Sequence, residues 1–270
     1  VVPPGEIFSD YAYFSSYSES WLAHARAFTA DAVDRYERDD ASFVVEVASN
    51  DGYLLRNFVD RGIRCLGIEP AANVAEVARQ AGISTEVAFF GEDSARAVLA
   101  EHGHADLIVA NNVFAHVPDL NDFVAGLRVL VTDDGVISIE VPHLLRLVEG
   151  GEFDTIYHEH YSYHSLLAAS FSLGRHDLRV FDLGELPTHG GSLRILATPA
   201  GSRRPTADRV ERLLEIERRA SLARPEGFVG LAARAAACRD ELRAFLLEAK
   251  DRGDVVVAYL VVRSAGADYA

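Results

Sequence analysis

Methionine is absent from all 270 residues, cysteine occurs twice, and 26 Lys and Arg face 41 Asp and Glu. The missing methionine extends to position 1, so either the natural start lies upstream or a start residue has been removed. Cys65 and Cys238 lie far apart and match no metal-ligand spacing, which suits a reducing cytoplasm as the expected compartment. A net charge of −15 argues against nucleic acid and anionic membranes as partners, because both need basic patches. A phosphate-bearing small molecule stays open, since it needs only local backbone donors and one or two cations. The opening Val1-Val-Pro-Pro-Gly5 has no basic segment before an apolar one and does not read as a signal peptide. The longest aliphatic run near the C-terminus, residues 255–262, contains Tyr259 and is far too short to span a bilayer. What is present is an apolar fraction of 49%, enough for a sizeable core, in a length that suits one α/β domain with something smaller attached.

The chain is organised around Phe43-Val-Val-Glu-Val-Ala-Ser-Asn-Asp-Gly52. Residues 43–48 predict a buried strand, and Ser49-Asn-Asp-Gly52 favours a turn that tolerates left-handed backbone. Helical spacing follows over 53–59. Strand, turn and helix form the first unit of a nucleotide-binding α/β sheet. A second strand over 65–68 ends at Glu69-Pro70, where an acidic side chain holds ribose hydroxyls in such sheets. The first loop lacks the Gly-x-Gly-x-x-Gly pattern that a pyrophosphate needs for close backbone approach. It disfavours NAD and FAD and suits S-adenosyl-L-methionine, whose ammonium and carboxylate accept one glycine with flanking polar side chains. The cofactor residues expected on this basis are Glu46, Ala48, Asn50, Asp51, Gly52, Glu69 and Pro70. Phe90 and Gly91 join them where adenine could be sandwiched, although a Phe pair is more often core. Asn111 and Asn112 close the set at the carboxyl end of the fourth strand.

The remaining pattern alternates: helices over 74–81, 92–101 and 120–131, a third strand within 82–91, a fourth over 105–112, a turn at 133–135, and a fifth strand over 136–143. A helix over 144–150, strands over 179–182 and 192–198, charged helices over 207–252 broken near 224–227, and a last strand over 254–262 complete it. The fold expected is α/β, a doubly wound, Rossmann-like class I methyltransferase sheet with a partial C-terminal α/β extension. Residues 1–42 read as an aromatic lid and N-terminal helix, 43–200 as the cofactor-binding domain, and 201–270 as a helical segment that the resemblance described below makes the truncated start of a C-terminal domain. Ser18 opens an amphipathic helix to Tyr36 with Trp21, Leu22, Ala25, Phe28, Ala32 and Val33 on one face. Over residues 6–21, Tyr11, Tyr13, Tyr17 and Trp21 combine apolar bodies with polar tips. They either cover the sheet or form a lid over a polar ligand such as a sugar.

Asp154-Thr-Ile-Tyr-His-Glu-His-Tyr-Ser-Tyr-His164 is the richest chemical segment. A metal reading fails on spacing, since zinc on a helix takes His at i and i+4, whereas His158 and His160 are two apart and suit an extended segment. No metal is expected. A polar loop of mutually bonded histidines is the plain alternative. The acid–base reading is stronger: His160 can take a proton from a carbon beside a ketone. Glu159 can orient an imidazole, and Tyr157 can donate to the developing enolate oxygen. His116, just after the fourth strand, falls at the same sheet edge.

With Tyr13-Phe-Ser-Ser-Tyr-Ser-Glu-Ser-Trp21, Ala110-Asn-Asn-Val-Phe-Ala-His-Val-Pro-Asp119 and Pro187-Thr-His-Gly-Gly-Ser-Leu-Arg194, these strings resemble the S-adenosylmethionine-dependent sugar C-methyltransferases. The resemblance runs from about residue 8 to 258. That family adds a branch methyl at C-3 of dTDP-4-keto-deoxysugars in antibiotic glycoside biosynthesis. It implies catalytic roles for Tyr11, His116, Tyr157, Glu159 and His160, with His160 as the base, and a ribose-holding role for Glu69. Family members also carry an N-terminal cysteine-rich zinc domain and a second Rossmann-like domain after a Gly-Ala-Ala-Lys-Gly loop. This chain reads as lacking the first and most of the second, with Leu260-Val-Val-Arg-Ser-Ala-Gly266 in place of the loop. The function expected is C-methylation of a dTDP-linked ketosugar by a monomer. A small-molecule O-methyltransferase and an inactive cofactor-binding remnant are the alternatives.

Overall fold

Three apolar runs, residues 43–47, 64–68 and 105–111, are buried almost throughout, as strands covered on both faces must be. A computed structural model describes residues 3–9, 11 and 13–257 of the chain. The helices among them are α1 (Pro4–Phe8), α2 (Glu19–Tyr36), α3 (Arg56–Val59), α4 (Ala72–Gln80), α5 (Glu92–His102), α6 (Leu120–Leu130), α7 (Leu144–Gly150), α8 (Leu166–Gly174), α9 (Asp208–Arg219) and α10 (Val229–Arg252). The strands are β1 (Phe43–Val47), β2 (Arg64–Ile68), β3 (Thr85–Glu86), β4 (Ala105–Asn111), β5 (Val131–Pro142), β6 (Leu178–Leu186) and β7 (Ser192–Pro199).

They form one sheet in the order β3-β2-β1-β4-β5-β7-β6. The first five run parallel, while β7 is antiparallel to β5 and to β6. The order reverses between β1 and β4, which opens a crevice at the carboxyl edge where ligands of such sheets bind. One face packs α5, α6, α8 and α9 through Val98, Phe123, Leu127, Leu173 and Leu213. The other packs α2 and α3 through Trp21, Phe28, Phe58 and their neighbours. Each such fully buried side chain contributes roughly 1.5–3 kcal/mol. The sheet is thus doubly wound, as expected.

Local chemistry sets the ends. Ser18 caps α2 by accepting from the Trp21 N–H, and Asp119 caps α6 through Asn121 and Asp122. The expected helix over 53–59 shortens to α3, because Gly52 at φ +76° and its turn take up residues 51–55. β5 begins five residues before the expected position. Asp133-Asp-Gly135 continues the strand instead of turning, and a register shift against β4 absorbs the excess. The last strand is not formed over 254–257, where the chain follows the left-handed cap Gly253 with no regular structure. Residues 258–262 of that expectation, like the 260–266 string, lie outside the described residues. Among the described residues the C-terminal extension is helical, through α9 and α10.

Candidate active site

β1 ends in a loop whose backbone is bent by left-handed residues, Ala48 at φ 55°, Asn50 at 49° and Gly52 at 76°. The bend turns backbone groups toward the end of β2. Glu69 stands there and accepts the Asn50 N–H and the Ala71 N–H, both at 2.9 Å. Burial raises its pKa, and the two N–H bonds oppose that rise. Across the switch point β4 ends at Asn111 and is followed by Asn112, left-handed at φ 52°. Neither carboxamide atom of Asn111, nor the Asn112 Oδ1, has a hydrogen-bond partner of good geometry among the described residues. The Tyr53 hydroxyl lies beside the Asn111 carboxamide. Buried polar atoms left unpaired cost free energy that a ligand can recover.

These groups wall a cavity of about 290 Å³, near the lower end of small-molecule pockets, roughly 300–1,000 Å³. Of the expected cofactor residues, Ala48, Asn50, Glu69, Pro70, Phe90, Asn111 and Asn112 line it. Glu46, Asp51, Gly52 and Gly91 do not. Glu46 is buried in β1, and burial, with Asp51 and Glu69 nearby, raises its pKa well above the usual carboxyl range. Gly52 serves packing, since a Cβ there would stand 2.8 Å from the Ile83 side chain. Gly91 lets the start of α5 approach Asp122 of α6, whose carboxylate accepts the Glu92 N–H. Phe90 meets Phe123 edge to face at 5.1 Å, so this ring belongs both to the core and to the cavity wall.

The N-terminal segment covers the opening. Phe8, Tyr11, Tyr13, Ser15 and Trp21 all line the cavity. Asn50 holds the segment by accepting from the Ser15 N–H (2.8 Å) and donating to the Tyr13 carbonyl (3.1 Å). Asp51 accepts the Ser16 N–H, and Asn73 makes a two-way bond with the Tyr11 backbone. The Asn50 and Asp51 side chains therefore clamp the cover. Tyr17 instead points to solvent.

Tyr11, His116, Tyr157, Glu159 and His160 come together beside this cavity. The His116 ring, in the cavity wall, meets Phe8 at 5.6 Å and His160 at 4.8 Å. Residues 157–160 close a turn, not the expected extended segment, through the His160 N–H to the Tyr157 carbonyl. That turn brings the two rings to 4.3 Å. His160 Nδ1 donates to the Thr155 carbonyl (3.0 Å), which fixes the tautomer and leaves Nε2 to accept from the Tyr157 hydroxyl at 3.1 Å. His116 Nδ1 donates to the Glu159 carbonyl at 2.9 Å. Glu159 thus orients an imidazole through its peptide oxygen, while its carboxylate lies 4.0 Å from His158. Burial and the neighbouring His160 bring His116 down to about 4, so it is neutral at neutral pH. Burial, then Glu159, pushes the phenols of Tyr11 and Tyr157 up to about 12, so both are protonated donors.

Three buried features were not anticipated. Glu140 of β5 binds His24 and Arg194. His143 Nε2 lies 2.8 Å from Glu217, whose oxygens accept the Leu166 and Leu167 N–H groups that begin α8. Burial holds His164, stacked on Phe114, at about 4. A charged residue inside an apolar strand, Ser138-Ile-Glu140, was the available signal for the first. Among the described residues Glu86, Glu101 and His102 could share a metal ion, but none of them lines the cavity. No helix among the described residues is long and apolar enough to cross a membrane.

Comparison with known proteins bears on the family and the fold. The chain is 33% identical over 259 residues to the C-methyltransferase NovU of Streptomyces niveus, which covers 96% of this chain and 62% of that protein. It therefore spans less than two thirds of that relative's length. An S-adenosylmethionine-dependent methyltransferase from Clostridium acetobutylicum ATCC 824 superposes with a TM-score of 0.52 at 10% identity, covering 67% of this chain and 92% of that one. The magnesium protoporphyrin IX methyltransferase of Synechocystis PCC 6803 with bound SAH gives 0.50 at 16% identity, covering 66% and 83%. These two likenesses place the sheet among Rossmann-like class I methyltransferase folds. A family described as C-methyltransferase C-terminal domain matches residues 187–265. With the methyltransferase domain family matching residues 21–174, more than half of its length, this chain belongs to the methyltransferases.

Proposed function

We propose that the chain uses S-adenosyl-L-methionine to methylate carbon, at C-3 of a dTDP-linked 4-keto-deoxyhexose, in the making of branched deoxysugars such as those of antibiotics. The observation that carries this reading is the Tyr157–His160–His116 cluster against a cavity edged by Asn111 and Asn112. A carbon acid needs both a base and a donor for the enolate oxygen; an oxygen acceptor also sheds a proton but needs no such donor, the part Tyr157 takes here.

The residues present fit the methyl donor. Glu69, with both oxygens already oriented by N–H groups, would hold ribose hydroxyls, and Phe90 would flank adenine. Asn111, beside the Tyr53 hydroxyl, and Asn112 supply polar side-chain groups for the amino-acid end. When bound, this group supplies a methyl on a positively charged sulfur. The chain's own residues do the rest. His160 Nε2 takes the C-3 proton, and the electron pair moves onto the C-4 ketone oxygen. The Tyr157 hydroxyl, turning from Nε2 to that oxygen, frees the base and stabilises the negative charge in one motion. His116, neutral and held by the Glu159 carbonyl, adds a second polar contact at the same edge. The cover clamped by Asn50 keeps water out.

Incubation with methyl-labelled donor and a dTDP-4-keto-6-deoxyhexose, followed by NMR of the product, tests the reading. Label on C-3 is expected. Label on oxygen would replace it with O-methylation, and no incorporation would overturn it.

A further inference from the structure

Beyond the residues beside the cavity, the side chain of Glu140 is fully buried and lies on the same sheet face as Asn111, its partner across β4 and β5. Its Oε2 accepts from His24 Nε2 at 2.9 Å and from Arg194 at 2.5 Å, and its Oε1 accepts from the Thr188 hydroxyl at 3.2 Å. Four segments, α2, β5, β7 and the 188–190 turn, therefore meet at one carboxylate. The arrangement continues toward the cavity. The His24 ring is stacked on Trp21 with centroids 4.9 Å apart and planes 16° from parallel. Trp21 lines the cavity and faces Tyr53, another lining residue, at 6.2 Å. Arg194 also covers the Phe28 ring, one further turn along α2, at 4.5 Å.

Stability alone does not account for this arrangement. Burying a carboxylate with its cations costs several kcal/mol in desolvation, and well-packed apolar side chains of similar volume often hold a fold as firmly. What the ion group supplies and apolar packing does not is direction. A hydrogen-bonded imidazole has one allowed plane, and a stacked indole inherits it.

We propose that Glu140 is a positioning residue: acting through His24, it fixes the plane of the Trp21 indole in the cavity wall and so sets the affinity for the cavity's occupant. In naming that occupant as the methyl donor, the inference rests on the function proposed above. Glu140 and His24 do not themselves line the cavity.

Trp21 is the one tryptophan in the sequence, so indole spectroscopy reports on this position alone. The experiment compares the wild type with His24→Phe, which keeps a ring against the indole but loses the bond to Glu140, with Glu140→Gln, and with the double variant. Three quantities are read: the near-ultraviolet circular dichroism of the indole, the affinity for S-adenosylhomocysteine by calorimetry, and the thermal midpoint. Because a misplacement of about 1 Å can cost up to about 10²-fold in a positioned site, each single variant should weaken binding about tenfold. Each should also diminish the indole signal while the protein stays folded. The double variant should be no worse than either single one, since both cut the same chain of contacts. A merely structural role would lower the thermal midpoint and leave the indole signal and the affinity of the folded protein unchanged; that result overturns the proposal, as does additivity in the double variant. Should Glu140→Gln fail to fold, His24→Phe carries the test. Failure of the wild type to bind S-adenosylhomocysteine would sink the cofactor reading instead, and the indole signal of the free protein would still decide whether Glu140 fixes Trp21.

Discussion

Two glutamates on one face of the sheet show how environment divides like residues. Burial drives Glu46 up, with Asp51 and Glu69 adding to it. Glu140 is as deeply buried, yet the His24 bond and the Arg194 charge outweigh burial and bring it to about 2. The signs differ accordingly. Glu140, depressed from 4.5 to about 2, contributes about 3 kcal/mol that is present above pH 4.5 and lost as pH falls through 2. Denaturant melts of Glu140→Gln should lack most of that acid-induced loss. Glu46 works the other way: its raised pKa makes the fold take up a proton, so its contribution is full below pH 4.5 and declines as pH rises. Glu46→Gln, which mimics the protonated form, should therefore melt higher than the wild type at pH 7 and equal it near pH 4. A lower midpoint at both values would count against a neutral Glu46. For His116 and His164, both lowered to about 4, ring resonances should stay flat from pH 8 to about 5 and move only near 4.

At the scale of elements, the loop after β1 and the start of α8 carry the most weight. Gly52 combines a left-handed backbone with a wall at Ile83. Gly52→Ala should cost about 2 kcal/mol or more, from strain and overpacking together, and shift the loop that Asn50 and Asp51 share with the N-terminal cover. Glu217 closes α8 from a distance in sequence, accepting two of its first N–H groups while bonding His143. Glu217→Ala leaves those donors and an imidazole buried without their partner and should cost about 3–5 kcal/mol in a thermal or denaturant melt. α8 itself shows where local pattern runs out. Its cap Ser165 is readable, but residues 166–174 are nearly all apolar or small, so no polar face marks the helical period. Its second cap lies fifty residues downstream, beyond any local rule.

Across the whole molecule, the legible parts are those set by short-range chemistry. β1, β2 and β4 announce themselves as apolar runs, and the turn at Asn50 and the acid at Glu69 follow at the spacing the sheet requires. The cluster proposed as catalytic is legible too, because Tyr157, His158, Glu159 and His160 are adjacent in sequence and His116 follows a strand end. What sequence could not supply is long-range pairing. That Asn50 spends its side chain on Tyr13 and Ser15, that Glu159 acts through its carbonyl, and that Glu140 finds His24 from 116 residues away are facts of packing. β5 likewise extends through Asp133-Asp-Gly135 because β4 offers it a partner at Ala105. The account stands or falls on His160 as a carbon base, which deuterium exchange at C-3 of a dTDP-4-keto-6-deoxyhexose in heavy water, without methyl donor, measures directly. The wild type should exchange that hydrogen and His160→Ala should not; exchange in the variant at the wild-type rate would contradict the account.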